Sequence, residues 1–242
     1  MIGISKLYCG AVEAADVLRY NRDGKQLPSH LLQFAATKRP VVVWNMTRRC
    51  NLRCVHCYSQ SQNKIYAGEL TTQEGKALID DLAVFSCPVI LFSGGEPLMR
   101  PDLPELVRHA TNRGIRAVIS TNGTLITNDF AKTFKEFGLS YVGVSLDGLR
   151  ETHDHFRGVA GAFDEAMKGI RTCLAEGIKV GIRFTINRRN AADIPAIFDL
   201  IEAEDIPRAC FYHLVYTGRG SKLIEEDLDH AESRAVLDLI MD

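Results

Sequence analysis

The sequence lacks any run of roughly 18 consecutive apolar residues, so it offers no candidate for a membrane-spanning helix. Its opening, Met1-Ile-Gly-Ile-Ser-Lys-Leu-Tyr-Cys-Gly10, has one Lys and no apolar core, which excludes a secretory signal at that end. It also lacks an excess of either charge. Twenty-nine Lys and Arg face 30 Asp and Glu, a formal balance of −1, where a general nucleic-acid binder usually carries a basic surplus. No repeat or low-complexity stretch interrupts the chain. What remains is 242 residues that are 46% hydrophobic, enough for one sizeable core. The seven cysteines, an odd number without a leader, point to reduced thiols and a cytoplasmic setting.

From Val41 onward, short β-branched runs alternate with amphipathic ones. Strands are expected at Val41–Met46, Pro88–Phe92, Arg116–Ser120, Tyr141–Leu146, Lys179–Ile186 and Cys210–Val215, apolar almost throughout as in parallel sheets covered on both faces. Helices are expected at Gln73–Val84, Leu103–Asn112, Asp129–Phe137, Ala162–Ala175 and Ala192–Ala203. Thr71-Thr-Gln-Glu74 has the form of a capping box, and Gly114, Gly138 and Gly177 stand where helices stop. Six βα steps predict an α/β fold with right-handed crossovers, either an open doubly wound sheet or a partial barrel. In both, ligands gather where strands end.

Residues 1–39 fall outside this pattern, with a short helix at Leu31–Phe34 as their one local signal. The expected division is an N-terminal extension over 1–39, a βα core over 40–220, and a C-terminal start over 221–242. Asp229–Met241 reads as a helix that lacks a Gly or Pro stop, as in a truncated chain.

Three cysteines fall within eight residues, Cys50-Asn-Leu-Arg-Cys54-Val-His-Cys57, directly after the first strand. Clustered thiolates select zinc or iron–sulfur centres. Structural zinc needs a fourth ligand, for which His56 is the nearest choice, whereas a cubane held by three cysteines keeps one iron open. Cys87, Cys173 and Cys210 lie in or beside apolar runs and read as inert buried thiols.

This loop, with an aromatic residue before its last Cys, and Ser93-Gly94-Gly95-Glu96-Pro97 after the second strand resemble the radical SAM enzymes. The resemblance implies a partial (βα)6 barrel and a [4Fe–4S] cluster held by Cys50, Cys54 and Cys57. It also implies S-adenosylmethionine (AdoMet) bound through the open iron, with Gly94, Gly95, Glu96 and Pro97 at its amino group and Glu96 as the charged partner. His56 and Tyr58, flanking Cys57, are expected beside the cofactor. So are Ser145, Asn122, Asp147 and Asn187 at further strand ends, although Asn122-Gly123 and Asp147-Gly148 are also ordinary turn pairs. Glu151–Gly158 resembles a loop of the larger subfamily with extra C-terminal clusters, and a solvated loop is the expectation for His153 and His155. Arg183 can face either the lumen or a covering helix.

The opening segment, Leu18-Arg-Tyr20, Pro28–Phe34 and Val41–Thr47 further resemble the sirohaem-modifying branch of that family. That likeness implies an iron tetrapyrrole substrate, most simply didecarboxysirohaem losing acetate side chains to give Fe-coproporphyrin III, with a haem d1 precursor as the alternative product. It implies a reducing donor such as ferredoxin or flavodoxin, and a second cluster in a C-terminal part beyond Asp242. Neither nucleic acid nor membrane is an expected partner. Arg48, Arg49, Arg53, Arg188 and Arg189 are candidates to meet substrate carboxylates. A peptide-modifying radical SAM enzyme and a zinc-stabilised scaffold are the remaining readings.

Overall fold

The structure is a computed structural model describing residues 39–241; Cys9 and the short helix expected at Leu31–Phe34 lie outside the described residues. Six strands, β1 (Val42–Thr47), β2 (Val89–Gly94), β3 (Arg116–Thr121), β4 (Tyr141–Ser145), β5 (Val180–Ile186) and β6 (Ala209–His213), form one all-parallel sheet in the order 1-2-3-4-5-6. Among the described residues seven α-helices accompany them: α1 (Thr72–Val84), α2 (Leu103–Asn112), α3 (Asn128–Glu136), α4 (Arg150–Arg157), α5 (Ala162–Ala175), α6 (Ile194–Ala203) and α7 (His230–Met241).

Strand order settles the architecture. A doubly wound sheet reverses its order at a switch point, whereas each strand here pairs with its successor, as in a barrel wound in one direction. The strands also alternate in burial along β2 and β5. Ile90 and Phe92 of β2, and Ile182, Phe184 and Ile186 of β5, are buried against the helices. Burying each contributes roughly 1.5–3 kcal/mol. Their neighbours Leu91, Ser93, Arg183 and Thr185 line the opposite, concave face. One face of the sheet is therefore core and the other is lumen, which makes the fold a partial barrel.

Local signals place the helices. Thr71 Oγ1 accepts from the Glu74 N–H (3.3 Å) and the Glu74 carboxylate accepts from the Thr71 N–H (2.8 Å), closing the capping box of α1. Gly114, Gly138 and Gly177 have positive φ after α2, α3 and α5. Two elements differ from expectation. Arg150–Arg157 is helix α4 rather than loop, and Gly218–Glu226 forms 3₁₀ turns between β6 and α7. Among the described residues no helix is long and apolar enough to cross a membrane.

Candidate metal centre at the strand ends

The segment after β1 is bound from two sides. Arg53 N–H and Val55 N–H donate to Arg157 O (3.1 Å) and Phe156 O (2.9 Å), carbonyls at the C-terminus of α4 that lack intrahelical partners. From the opposite side, Arg219 donates from its backbone N–H to Cys57 O (2.9 Å), from Nε to Cys54 O (2.7 Å) and from Nη1 to Ser61 O (3.1 Å). Gly218 is required there: its φ is 61°, and an added Cβ would stand 2.2 Å from Tyr58 O.

The loop held in this way carries Cys50, Cys54 and Cys57 into the wall of one cavity of about 910 Å³. Cys50 and Cys54 are buried, Cys57 partly so, and all three are free thiols. Cys50 Sγ accepts from the Leu52 N–H at 3.4 Å and faces Asn122 Nδ2 at 3.9 Å, and Cys54 Sγ faces Arg157 Nη1 at 3.6 Å. Burial pushes the Cys50 thiol up to about 12 and raises that of Cys54, with Arg157 opposing. Burial also opposes ionisation of Cys57, but Ser59, Ser61 and Arg219 outweigh it and hold that thiol below its ordinary value.

These features fit an iron–sulfur cluster better than zinc. Among the described residues no three His, Cys, Asp or Glu side chains converge to hold one metal ion. His56, the candidate fourth zinc ligand, turns Nε2 toward Asp147 Oδ2 (3.4 Å). The sulfurs face N–H donors, as thiolates on a negatively charged cluster require. Three buried nitrogens, His56 Nδ1, Arg157 Nε and Arg219 Nη2, have no partner among the described residues, and all three residues line the cavity.

The Gly94–Pro97 stretch docks beneath the same loop. Gly95 N–H donates to Thr47 O (2.7 Å) and Glu96 N–H to Arg49 O (2.8 Å). A Cβ on Gly94 would lie 2.2 Å from Thr47 O, and one on Gly95 would lie 2.4 Å from Arg49 O, so only glycine permits this approach. Both glycines line the cavity. Glu96 does not. Its carboxylate is buried and accepts from Thr121 Oγ1 (2.7 Å), the Asn122 N–H (2.8 Å) and the Leu98 N–H (3.0 Å), with burial pushing its pKa up to about 7. It braces the ends of β2 and β3 from behind the lining, and Pro97 opens the short turn that follows.

The remaining candidates divide. Ser145, Asn122, His56 and Tyr58 line the cavity, and Tyr58 OH donates to Asn45 Oδ1 (3.0 Å). Asp147 lies beneath the lining, fully buried, ion-paired to Arg157 and accepting from the Thr185 N–H (3.0 Å). Asn187, also buried, accepts the Arg189 N–H (3.0 Å) and so shapes a turn. None of the five arginines expected to meet substrate lines the cavity. Arg48 and Arg49 donate to Ser59 O (3.2 Å) and Asn63 Oδ1 (3.0 Å), Arg188 and Arg189 pair with Glu232 and Glu226, and Arg53 is exposed outside the cavity lining. His153 departs from the solvated-loop reading, since it is buried in α4 with Nδ1 accepting from the Asp147 N–H (3.1 Å); His155 is exposed. Sequence reasoning missed Arg157 and Arg219. The first sits in a quoted motif whose charge partner is ten residues away, and the second carries no local signal.

Among curated relatives, the Fe-coproporphyrin III synthase of Methanosarcina barkeri is 69% identical over the whole chain, which spans 61% of that protein. The pre-heme d1 synthase of Dinoroseobacter shibae is 44% identical over 85% of the chain and 51% of its own length. The chain thus spans about half to three fifths of the relatives it matches. Among solved structures, Streptococcus suis SuiB bound to S-adenosylmethionine superposes with a TM-score of 0.73 at 18% identity, covering 88% of the chain and 50% of that protein. Residues 44–201 match the radical SAM superfamily, and with the three-cysteine loop and parallel partial barrel in place, the chain belongs to that superfamily.

Proposed function

We propose that this chain is the barrel portion of a radical SAM enzyme that removes acetate side chains from a sirohaem-derived iron tetrapyrrole, giving Fe-coproporphyrin III. The observation that carries the substrate class is the lining of the cavity. No Asp or Glu lines it among the described residues, whereas Arg157, Arg183 and Arg219 do, beside Tyr58, Phe211 and Tyr212. A flat aromatic ring bearing several carboxylates suits cations set among aromatic walls. At about 910 Å³ the space lies near the upper end of small-molecule sites. The 69% identity to an Fe-coproporphyrin III synthase supports this product over a haem d1 precursor, whose synthase is 44% identical.

In this reading Cys50, Cys54 and Cys57 would hold a [4Fe–4S] cluster, and the Gly94–Gly95 backbone, Ser145 and Asn122, which line the same cavity, would be available to AdoMet. When bound, the cluster would supply one electron, from a donor such as ferredoxin or flavodoxin, to break the sulfonium C–S bond of AdoMet into methionine and a 5′-deoxyadenosyl radical. The chain's own work is positioning and exclusion of water. Leu52, Asn122 and Arg157 offer donors to the sulfurs, and Asp147 holds Arg157 in place. A second cluster belongs to a further C-terminal part of such an enzyme.

The test is anaerobic reconstitution with iron and sulfide, EPR of the reduced protein with and without AdoMet, and then incubation with didecarboxysirohaem. The expected results are a [4Fe–4S]⁺ signal that changes with AdoMet and matched formation of 5′-deoxyadenosine and iron coproporphyrin. Cys50→Ala, Cys54→Ala and Cys57→Ala should each lose the signal, and Cys173→Ala should keep it. A colourless protein retaining zinc would overturn the mechanism. Deoxyadenosine formed without change in the tetrapyrrole would overturn the substrate.

A further inference from the structure

Arg183 differs from the other two arginines of the cavity. Arg157 is neutralised by Asp147, and Arg219 is directed at the carbonyls of Cys54 and Ser61. Arg183, half-buried on the lumen face of β5, pairs in register with Ser145 on one side and Cys210 on the other. Its guanidinium carbon lies 5.0 Å from the centre of the Tyr212 ring, and among the described residues no carboxylate comes within ion-pair distance.

The neighbouring strands are shaped around it. A Cβ on Gly143 would stand 2.9 Å from Arg183 Cδ and 3.3 Å from Tyr141 Cε1, so the absence of a side chain on β4 is what lets the arginine stem lie across that strand. The result is a guanidinium fixed by packing and an aromatic face, with its fork not engaged by an acid among the described residues. A half-buried cation is costly unless an anion meets it. The acid-free lining leaves that anion to the ligand.

We propose that Arg183 is the anchor for a carboxylate of the substrate, its planar fork binding both oxygens while Tyr212 holds its face. This rests on the tetrapyrrole reading above, and it assigns a specificity-determining residue within that reading. The same chemistry would also suit the methionine carboxylate of AdoMet, and the experiment separates the two sources.

Reconstituted wild type, Arg183→Gln and Arg183→Lys are titrated with iron coproporphyrin III and with its tetramethyl ester, following the Soret band, and AdoMet is followed by EPR. The expected result is acid binding weakened about 10- to 100-fold in R183Q and less in R183K, from loss of a charge-assisted bidentate contact. Ester binding should change by less than about threefold, with the AdoMet-dependent EPR change intact. Equal acid binding by R183Q and wild type overturns the anchor. Loss of the AdoMet effect with unchanged porphyrin binding also overturns it, assigning Arg183 to the nucleotide. If wild type binds neither porphyrin, the tetrapyrrole reading fails, and calorimetry with pyromellitate, a tetracarboxylate lacking the macrocycle, decides for Arg183. Binding lost in R183Q then sustains a carboxylate anchor, and equal binding or none overturns it.

Discussion

His153 is a buried histidine whose Nδ1 serves as an acceptor and whose Nε2 has no partner among the described residues. Burial first, and then the nearby charge of Arg157, lower its pKa to about 3. The folded value therefore lies below the unfolded one near 6.5, so the neutral ring stabilises the fold above that pH. As pH falls from about 6.5 toward 3, the unfolded chain takes up a proton that the folded chain refuses, and stability drops by about 1.4 kcal/mol per pH unit from this residue. His153→Asn, which keeps an acceptor for the Asp147 N–H, should flatten that dependence by about one proton. Urea midpoints of both proteins between pH 7.5 and 5 measure the difference. Parallel slopes would mean that His153 is not the buried neutral group described.

At the scale of elements, helix α1 gives the sharpest test of local encoding. Thr71→Ala removes one half of its capping box and should cost about 1 kcal/mol, lowering the urea midpoint without changing the slope. The only tryptophan, Trp44, reports it, because its ring packs against Gly75 of that helix. An unchanged midpoint would place the start of α1 under tertiary control. Elements with such local signals were legible from the residues: α2 and α5 occupy the expected positions, and the strands differ from expectation only at their ends. Helix α4 was not, because its inward face is His153, Phe156 and Arg157, and two polar residues out of three disguise a buried stripe. The three cysteines and Gly94–Gly95 were legible because their spacing is short and chemically restrictive. The direction of Glu96 and Asp147 was not, since a carboxylate at a strand end reads alike whether it faces a ligand or braces the loop behind it. Arg219 was hidden by distance, as its partners Cys54 and Ser61 precede it by 165 and 158 positions.

Across the whole molecule, the cysteine loop joins the two ends of the sheet. It leaves β1, rests on the helix after β4, and is closed by the turn after β6. Gly218→Ala forces a Cβ against Tyr58 O where φ is already positive, and so should loosen the loop while leaving the sheet in place. The expected outcome is iron content after reconstitution falling by half or more, with the far-ultraviolet circular dichroism unchanged. Full iron content would show that α4 alone suffices to hold the loop. The closing contact also carries a timetable. Arg219 is added 165 residues after Cys54, and at roughly 5–20 residues per second the ribosome needs on the order of ten to thirty seconds to cover that stretch. During that interval the thiols are already made while the loop gains α4 first and Arg219 last, so lasting assembly of the metal centre waits for the turn after β6.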